Sequence, residues 1–136
     1  MPRQDKTRTA TKADGAVALK MAQQFAAAAR SELANERWNT AGLNAVHCGI
    51  SAADAVLIHT AGIRSSSPEH AKVSNLLEKH VPTFKGSPRT QLVGLLGKKN
   101  TIAYEQRLLT QSEAQTLVTA ANRFLAWTTK CCENTN

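Results

Sequence analysis

Aromatic residues are scarce, with three Phe, two Trp and one Tyr making 4% of 136 residues. The core must therefore be built from Ala, Leu, Val and Ile, which suits close helix packing and argues against a β-sandwich rich in aromatic and β-branched residues. Cysteine is limited to Cys48, Cys131 and Cys132. Three thiols cannot all pair with one another, and the adjacent two would form a strained bridge. No C-x-x-C or H-x-x-x-H spacing occurs, so neither a disulfide framework nor a zinc site is expected. The stretch from Met1 to Gly15 lacks the apolar centre of a secretory leader, and no run approaches the ~20 apolar residues that span a bilayer. These absences lead to the expectation of a soluble, cytoplasmic protein in a reducing compartment, with no membrane association, metal or cofactor.

What remains is helix-forming material carrying excess positive charge. Seventeen Lys and Arg against ten Asp and Glu give +7, which biases encounters toward nucleic acid, acidic proteins or membrane surfaces without selecting one. Four of the cations, Arg3, Lys6, Arg8 and Lys12, fall within residues 1–12, which carry no periodicity and read as a flexible basic arm. The length fits a single domain, here residues 13–133, with 134–136 frayed.

Asp14-Gly15 opens an Ala-rich pattern through Ala16, Leu19, Met21, Phe25, Ala29 and Leu33, which predicts a first helix to about Asn35. After Trp38, the residues Leu43, Val46, Ile50, Ala53 and Leu57 recur at spacings of three and four and predict a second. Asp54 falls inside that apolar arc and needs a partner, because an unpaired buried charge is costly. Ser67-Pro68-Glu69-His70 is a start signal for a third helix reaching about His80, and Ser87-Pro88-Arg89 repeats it for a fourth reaching about Glu105. Thr110 and Glu113 form a capping box behind Leu109 and open a fifth. Its core face is Leu117, Val118, Ala121, Phe124, Leu125 and Thr128, with Trp127 beside it. No strand-like alternation is present. Five amphipathic helices on short loops predict an all-α, up-and-down antiparallel bundle.

Functional interest concentrates in Gly97–Tyr104, where polar side chains interrupt an apolar helical face. At about 100° per residue, Leu92, Leu95, Leu96, Ile102 and Ala103 share one side, and Lys99 projects into it. Two readings stand side by side: a buried Asp54–Lys99 ion pair that fixes helix register, or a lysine stem lying on the apolar face with its amine in water, which leaves Asp54 to another partner. Asn100 and Tyr104, four apart, border a candidate binding cleft. Lys98 would add charge from its solvent side, and His70 could join it from a helix N-terminus. Ordinary bundle hydrogen bonds and a solvated histidine are the alternatives. His47 and His59 read as core or rim residues, and His80 as a favourable last-turn residue. Gly94 and Gly97 predict close approach by a neighbouring helix or by a ligand. No nucleophile–base pairing or phosphate loop is legible from spacing.

Taken in order, Asn44-Ala45-Val46-His47, Ser51-Ala52-Ala53-Asp54-Ala55, Ser67-Pro68-Glu69-His70, Lys99-Asn100-Thr101-Ile102-Ala103-Tyr104 and Glu113…Ala121-Asn122-Arg123-Phe124-Leu125-Ala126-Trp127 resemble a HEPN domain over residues 14–130. The resemblance implies a four- or five-helix bundle, commonly a homodimer, that acts as a metal-independent ribonuclease or as the partner of a nucleotidyltransferase in toxin–antitoxin and defence systems. Active members carry Arg, a polar residue and then His on one late helix. Lys99 stands where that Arg would be, Asn100 matches the polar residue, and Tyr104 takes the place of the His. His titrates near neutrality, whereas Tyr has a pKa of about 10 and seldom acts as a base. The expected function is therefore a non-catalytic binding or accessory module for RNA or a protein. The alternatives are a divergent ribonuclease with a site shared between two subunits, in which Lys99, Asn100 and Tyr104 take part, and a purely structural domain.

Overall fold

The computed structural model describes residues 6–67 and 71–133. The elements run β1 (Thr7–Thr9), α1 (Lys12–Ala34), α2 (Trp38–Ala61), β2 (Ile63–Ser65), α3 (Ala71–His80), a 3-10 turn (Pro82–Phe84), α4 (Ser87–Tyr104) and α5 (Gln111–Glu133). The expected all-α bundle is the observed architecture, with one two-stranded antiparallel ribbon added.

The bundle is organised around α2, which packs against α1, α3, α4 and α5. Its residues from Ala41 to Ile58 are buried on nearly every side, so α2 is the core rather than a wall of it. By length and composition α2 could also cross a membrane, but most of it is enclosed by the other helices. Small residues set the packing distance. Ala22, Ala26 and Ala29 of α1 are fully buried or nearly so, spaced as one helical stripe. On α2, a Cβ added at Gly42 would lie 2.7 Å from Leu109 Cδ1, and one at Gly49 would lie 2.8 Å from Leu95 Cδ1. These two glycines make the close approaches that were expected of Gly94 and Gly97. Both latter glycines are exposed, and a Cβ at either would meet nothing within 4 Å, because they lie on the outer side of α4.

Thr7–Thr9 and Lys12, expected to lie in a flexible arm, are in regular secondary structure. Thr7, Arg8 and Thr9 pair with Ser65, Arg64 and Ile63, and α1 begins at Lys12 behind the N-cap Thr11. The Thr11 and Asp14 side chains satisfy each other's backbone N–H groups at 3.2 and 2.9 Å, a second capping box of the kind expected only at Thr110. A three-residue strand has no sequence signature of its own and forms where a partner strand is held nearby. Gly62 supplies that geometry: at φ 66 it ends α2 in the left-handed region, where glycine carries no Cβ penalty, and it turns the chain into β2.

The start of α4 is displaced by one residue. Gly86, at φ 103, is the N-cap, and Ser87 is already helical, with the Thr90 hydroxyl donating back to Gly86 O at 3.1 Å. Of the signal expected to open α3, Pro68, Glu69 and His70 lie outside the described residues. The α5 prediction holds: Glu113 N–H donates to Thr110 Oγ1 at 3.1 Å and Thr110 N–H to Glu113 Oε1 at 2.9 Å. Leu117, Val118, Ala121, Phe124 and Thr128 are buried, and the Trp127 ring sits 5.4 Å from Phe124 and 5.9 Å from Phe84.

Candidate functional site

The sequence-selected residues of α4 do not converge on one cleft. Lys98 donates to Glu113 Oε2 at 3.3 Å across the seam between α4 and α5. Lys99 is half-buried, and among the described residues no ion pair involves it. Asn100 and Tyr104 share one outer face of α4, with Tyr104 73% exposed and Asn100 open to solvent. His70 lies outside the described residues.

The proposed Asp54–Lys99 pair is not formed. Asp54 pairs instead with Arg64 of β2, at 3.8 Å. The reason is helix alignment. Gly42 lies against Ile102, and Gly49 against Leu95, so α2 and α4 are antiparallel and Lys99 sits about 13 Å from Asp54 along the axis at 1.5 Å per residue. Asp54 faces α1, in a small cavity with Val17, Ala18, Met21 and Ser51. Burial pushes its carboxyl pKa upward, opposed by the charges of Arg64 and Arg8. Those two arginines stand directly opposite one another in the ribbon, a repulsive register that Asp54 and Asp14 offset.

What the late part of the chain does build is a loop between α4 and α5 held by side-chain hydrogen bonds. Asn39, at the start of α2, clamps it from below. Its Nδ2 donates to Arg107 O at 2.8 Å, and its Oδ1 accepts from the Leu109 N–H at 2.8 Å. Arg107 is held as well, donating from both terminal nitrogens to Glu113 at 3.0 and 2.9 Å, the fork geometry that a guanidinium and a carboxylate favour. The Arg107 bonds, together with the Thr110 N–H and Lys98, keep the Glu113 carboxyl well below its ordinary range. Leu109 is buried at 3% exposure, and its neighbour Leu108 stands out at 84%. Gln106 adopts φ 50, a left-handed conformation uncommon for a residue with a Cβ, where the chain leaves α4. Leu108 is thus presented on a pinned backbone, and Tyr104 stands exposed just before it at the end of α4.

Beside this loop runs a groove of about 690 Å³ between α4 and α5, lined by Gln91, Gly94, Lys98, Thr116, Ala120 and Arg123 among others. Its walls are mostly uncharged. The Gln91 Oε1 atom itself is buried and has no hydrogen-bond partner among the described residues. Arg123 is exposed and forms no ion pair among the described residues.

Sequence reasoning missed Asn39, Leu108 and Gln91. Nothing local marks Asn39, whose bonds reach across roughly seventy positions. Leu109 is marked as the apolar residue ahead of the Thr110–Glu113 box, but nothing in the sequence says that its neighbour Leu108 stays in solvent. Arg107 was missed as well; of its fork with Glu113, only Glu113 was legible, as a member of the capping box. Among the described residues, no group of three or more His, Cys, Asp or Glu is placed to hold a metal. Compared with known proteins, the chain matches no family model and no curated sequence.

Proposed function

We propose that this chain is a non-catalytic, HEPN-like accessory module that works through protein contacts made by the α4–α5 hairpin, the first of them being self-association as a homodimer. The observation that carries this reading is the pinned loop, which holds Leu108 at 84% exposure next to Tyr104, itself 73% exposed at the end of α4. Exposed apolar and aromatic side chains on a preorganised backbone are what binding hot spots use, since little ordering entropy is lost when they engage. The resemblance to HEPN domains supports the accessory role and suggests a toxin–antitoxin or defence setting, with a nucleotidyltransferase as a suitable second partner.

Catalysis is disfavoured by the same geometry. Lys98 is committed to Glu113, and Tyr104 faces solvent with no acid, base or cation bonded to it among the described residues. RNA binding draws support from the net charge of +7. At the hairpin, however, Lys98 and Arg107 both converge on Glu113, which lowers the local field available to a phosphate.

Sedimentation velocity across a concentration series, run beside incubation with mixed single-stranded RNA in EDTA, tests the reading. The expected result is a reversible dimer and intact RNA. A chain that stays monomeric throughout and retains RNA in a salt-sensitive manner would move the function to RNA. RNA cleavage that persists in EDTA and disappears in Tyr104→Phe would make it a ribonuclease.

A further inference from the structure

We infer that Asp54, where α1, α2 and the β1–β2 ribbon meet, is an acid-sensitive latch: its negative charge holds β1 against β2, and its protonation lets β1 peel away. The latch is independent of the self-association proposed above.

Little else fastens β1. Thr7, Arg8 and Thr9 are all exposed, so no apolar burial contributes, and a lone two-stranded ribbon is marginal in water. β2 is better anchored, because it follows α2 directly through Gly62 and Ile63 packs against the core. The ladder between them is bounded by the Ser66 N–H donating to Lys6 O and the Ala10 N–H donating to Gly62 O, each at 3.0 Å. Bonds at those two ends make Arg8 and Arg64 a hydrogen-bonded pair, with both side chains on one face of the ribbon. Like charges directly opposite one another work against the pairing. Asp54 supplies the compensating charge, 3.8 Å from Arg64 and near enough to Arg8 to feel its field.

Few polar groups face Asp54 among the described residues. α1 presents Asp14, α2 the Ser51 hydroxyl and β2 Arg64, while Val17 and Met21 in the same cavity are apolar; β1 adds the charge of Arg8. Asp14 feels both arginines as well, but its carboxylate is engaged by the Thr11 N–H at 2.9 Å.

Protonation acts through the difference between β1 docked and β1 released in an otherwise intact bundle. In both states α1 covers Asp54, whose burial pushes its carboxyl upward, and Arg64 stays beside it. Docking β1 adds Arg8, which favours the ionised form. The carboxyl therefore titrates lower with β1 docked than with β1 released. Docking is at full strength above the released value and weakens as pH falls through the docked one. Burial raises Asp54 while capping lowers Asp14, so the step belonging to Asp54 falls at the higher pH of the two.

Amide exchange of the full chain between about pH 7 and about pH 4, read at Ala10 and Ser66 as protection relative to intrinsic rates, tests the latch. Protection at both should fall about fivefold, the upper end for an exposed ion pair, because Asp54 is half-buried; exchange in the middle of α2 should not change. Asp54→Asn should show the acid level at every pH. Arg8→Gln, a change at an exposed strand position that leaves the bundle intact, should abolish the step. Asp14→Asn, which keeps an acceptor for the Thr11 N–H, should leave the step in place. A wild-type ladder equally protected across the range overturns the latch, as does a step that survives Asp54→Asn or Arg8→Gln, or one that disappears in Asp14→Asn.

Discussion

Replacing Asn39 by Ala removes both side-chain bonds that hold the α4–α5 loop, and its consequences can be worked from the structure. The two bonds, each 2.8 Å long, contribute about 1 kcal/mol apiece. The Leu109 N–H is part-buried and loses its acceptor. Against this, Asn39 lies in the first turn of α2, where Ala has better helix propensity by about 0.5 kcal/mol. The net loss is about 1.5 kcal/mol, which for a domain of this size lowers Tm by about 5 °C. The effect has a second, local component. With the clamp gone, the loop backbone from Arg107 to Thr110 keeps the Arg107 bonds to Glu113 and to Leu108 O and the capping box. Amide hydrogen exchange at Leu108 and Leu109 should therefore accelerate more than exchange in the buried middle of α2. Self-association should weaken although Leu108 itself is untouched, because ordering the loop now costs free energy on binding. Thermal melting, exchange by mass spectrometry and sedimentation on the same variant read all three. A Tm within about 1 °C of wild type, with unchanged exchange at Leu108, would refute the claim that Asn39 presents the loop.

Gly42→Ala and Gly94→Ala should shift stability in opposite directions. At Gly94 the added methyl meets nothing within 4 Å, so removing backbone freedom stabilises by about 0.5–1 kcal/mol, whereas at Gly42 it comes within 2.7 Å of Leu109 Cδ1 and overpacking of about 1–3 kcal/mol outweighs the same gain; chemical denaturation separates the two signs. The acid limb of stability should be set by Glu113 and Asp14 and opposed by Asp54. Glu113 and Asp14 have lowered pKa values in the fold, so their stabilisation is complete above the unfolded carboxylate range and is lost progressively as pH falls from there through their folded pKa values. Asp54 is raised by burial, so its ionisation works against the fold above its folded pKa, and that penalty is relieved as pH falls. Melting curves taken downward from neutrality should show a shallower decline below pH 4.5 in Glu113→Gln than in wild type, and equal slopes would dismiss the fork as a source of acid sensitivity.

By itself, the sequence determined what depends on neighbours a few positions apart. The scarcity of aromatics and the spacing of Leu, Val and Ala decided the helical bundle, because a helix presents a stripe every three to four residues whatever surrounds it. The Thr110–Glu113 box was legible for the same reason, and the Thr11–Asp14 box could have been. The wheel also placed Asp54 in an apolar arc correctly. What the tertiary structure alone decided is which distant groups meet. Asp54 found Arg64 rather than Lys99 because the antiparallel register of α2 and α4 carries Lys99 away along the axis, and a two-strand ribbon brings Arg64 back over α1. Gly42 and Gly49, rather than Gly94 and Gly97, became the close contacts because α2 is enclosed while α4 keeps one side in solvent. Leu108 and Leu109 differ only in which side of a clamped backbone they occupy. That clamp is a side chain from the start of α2, and no local pattern in the loop encodes it.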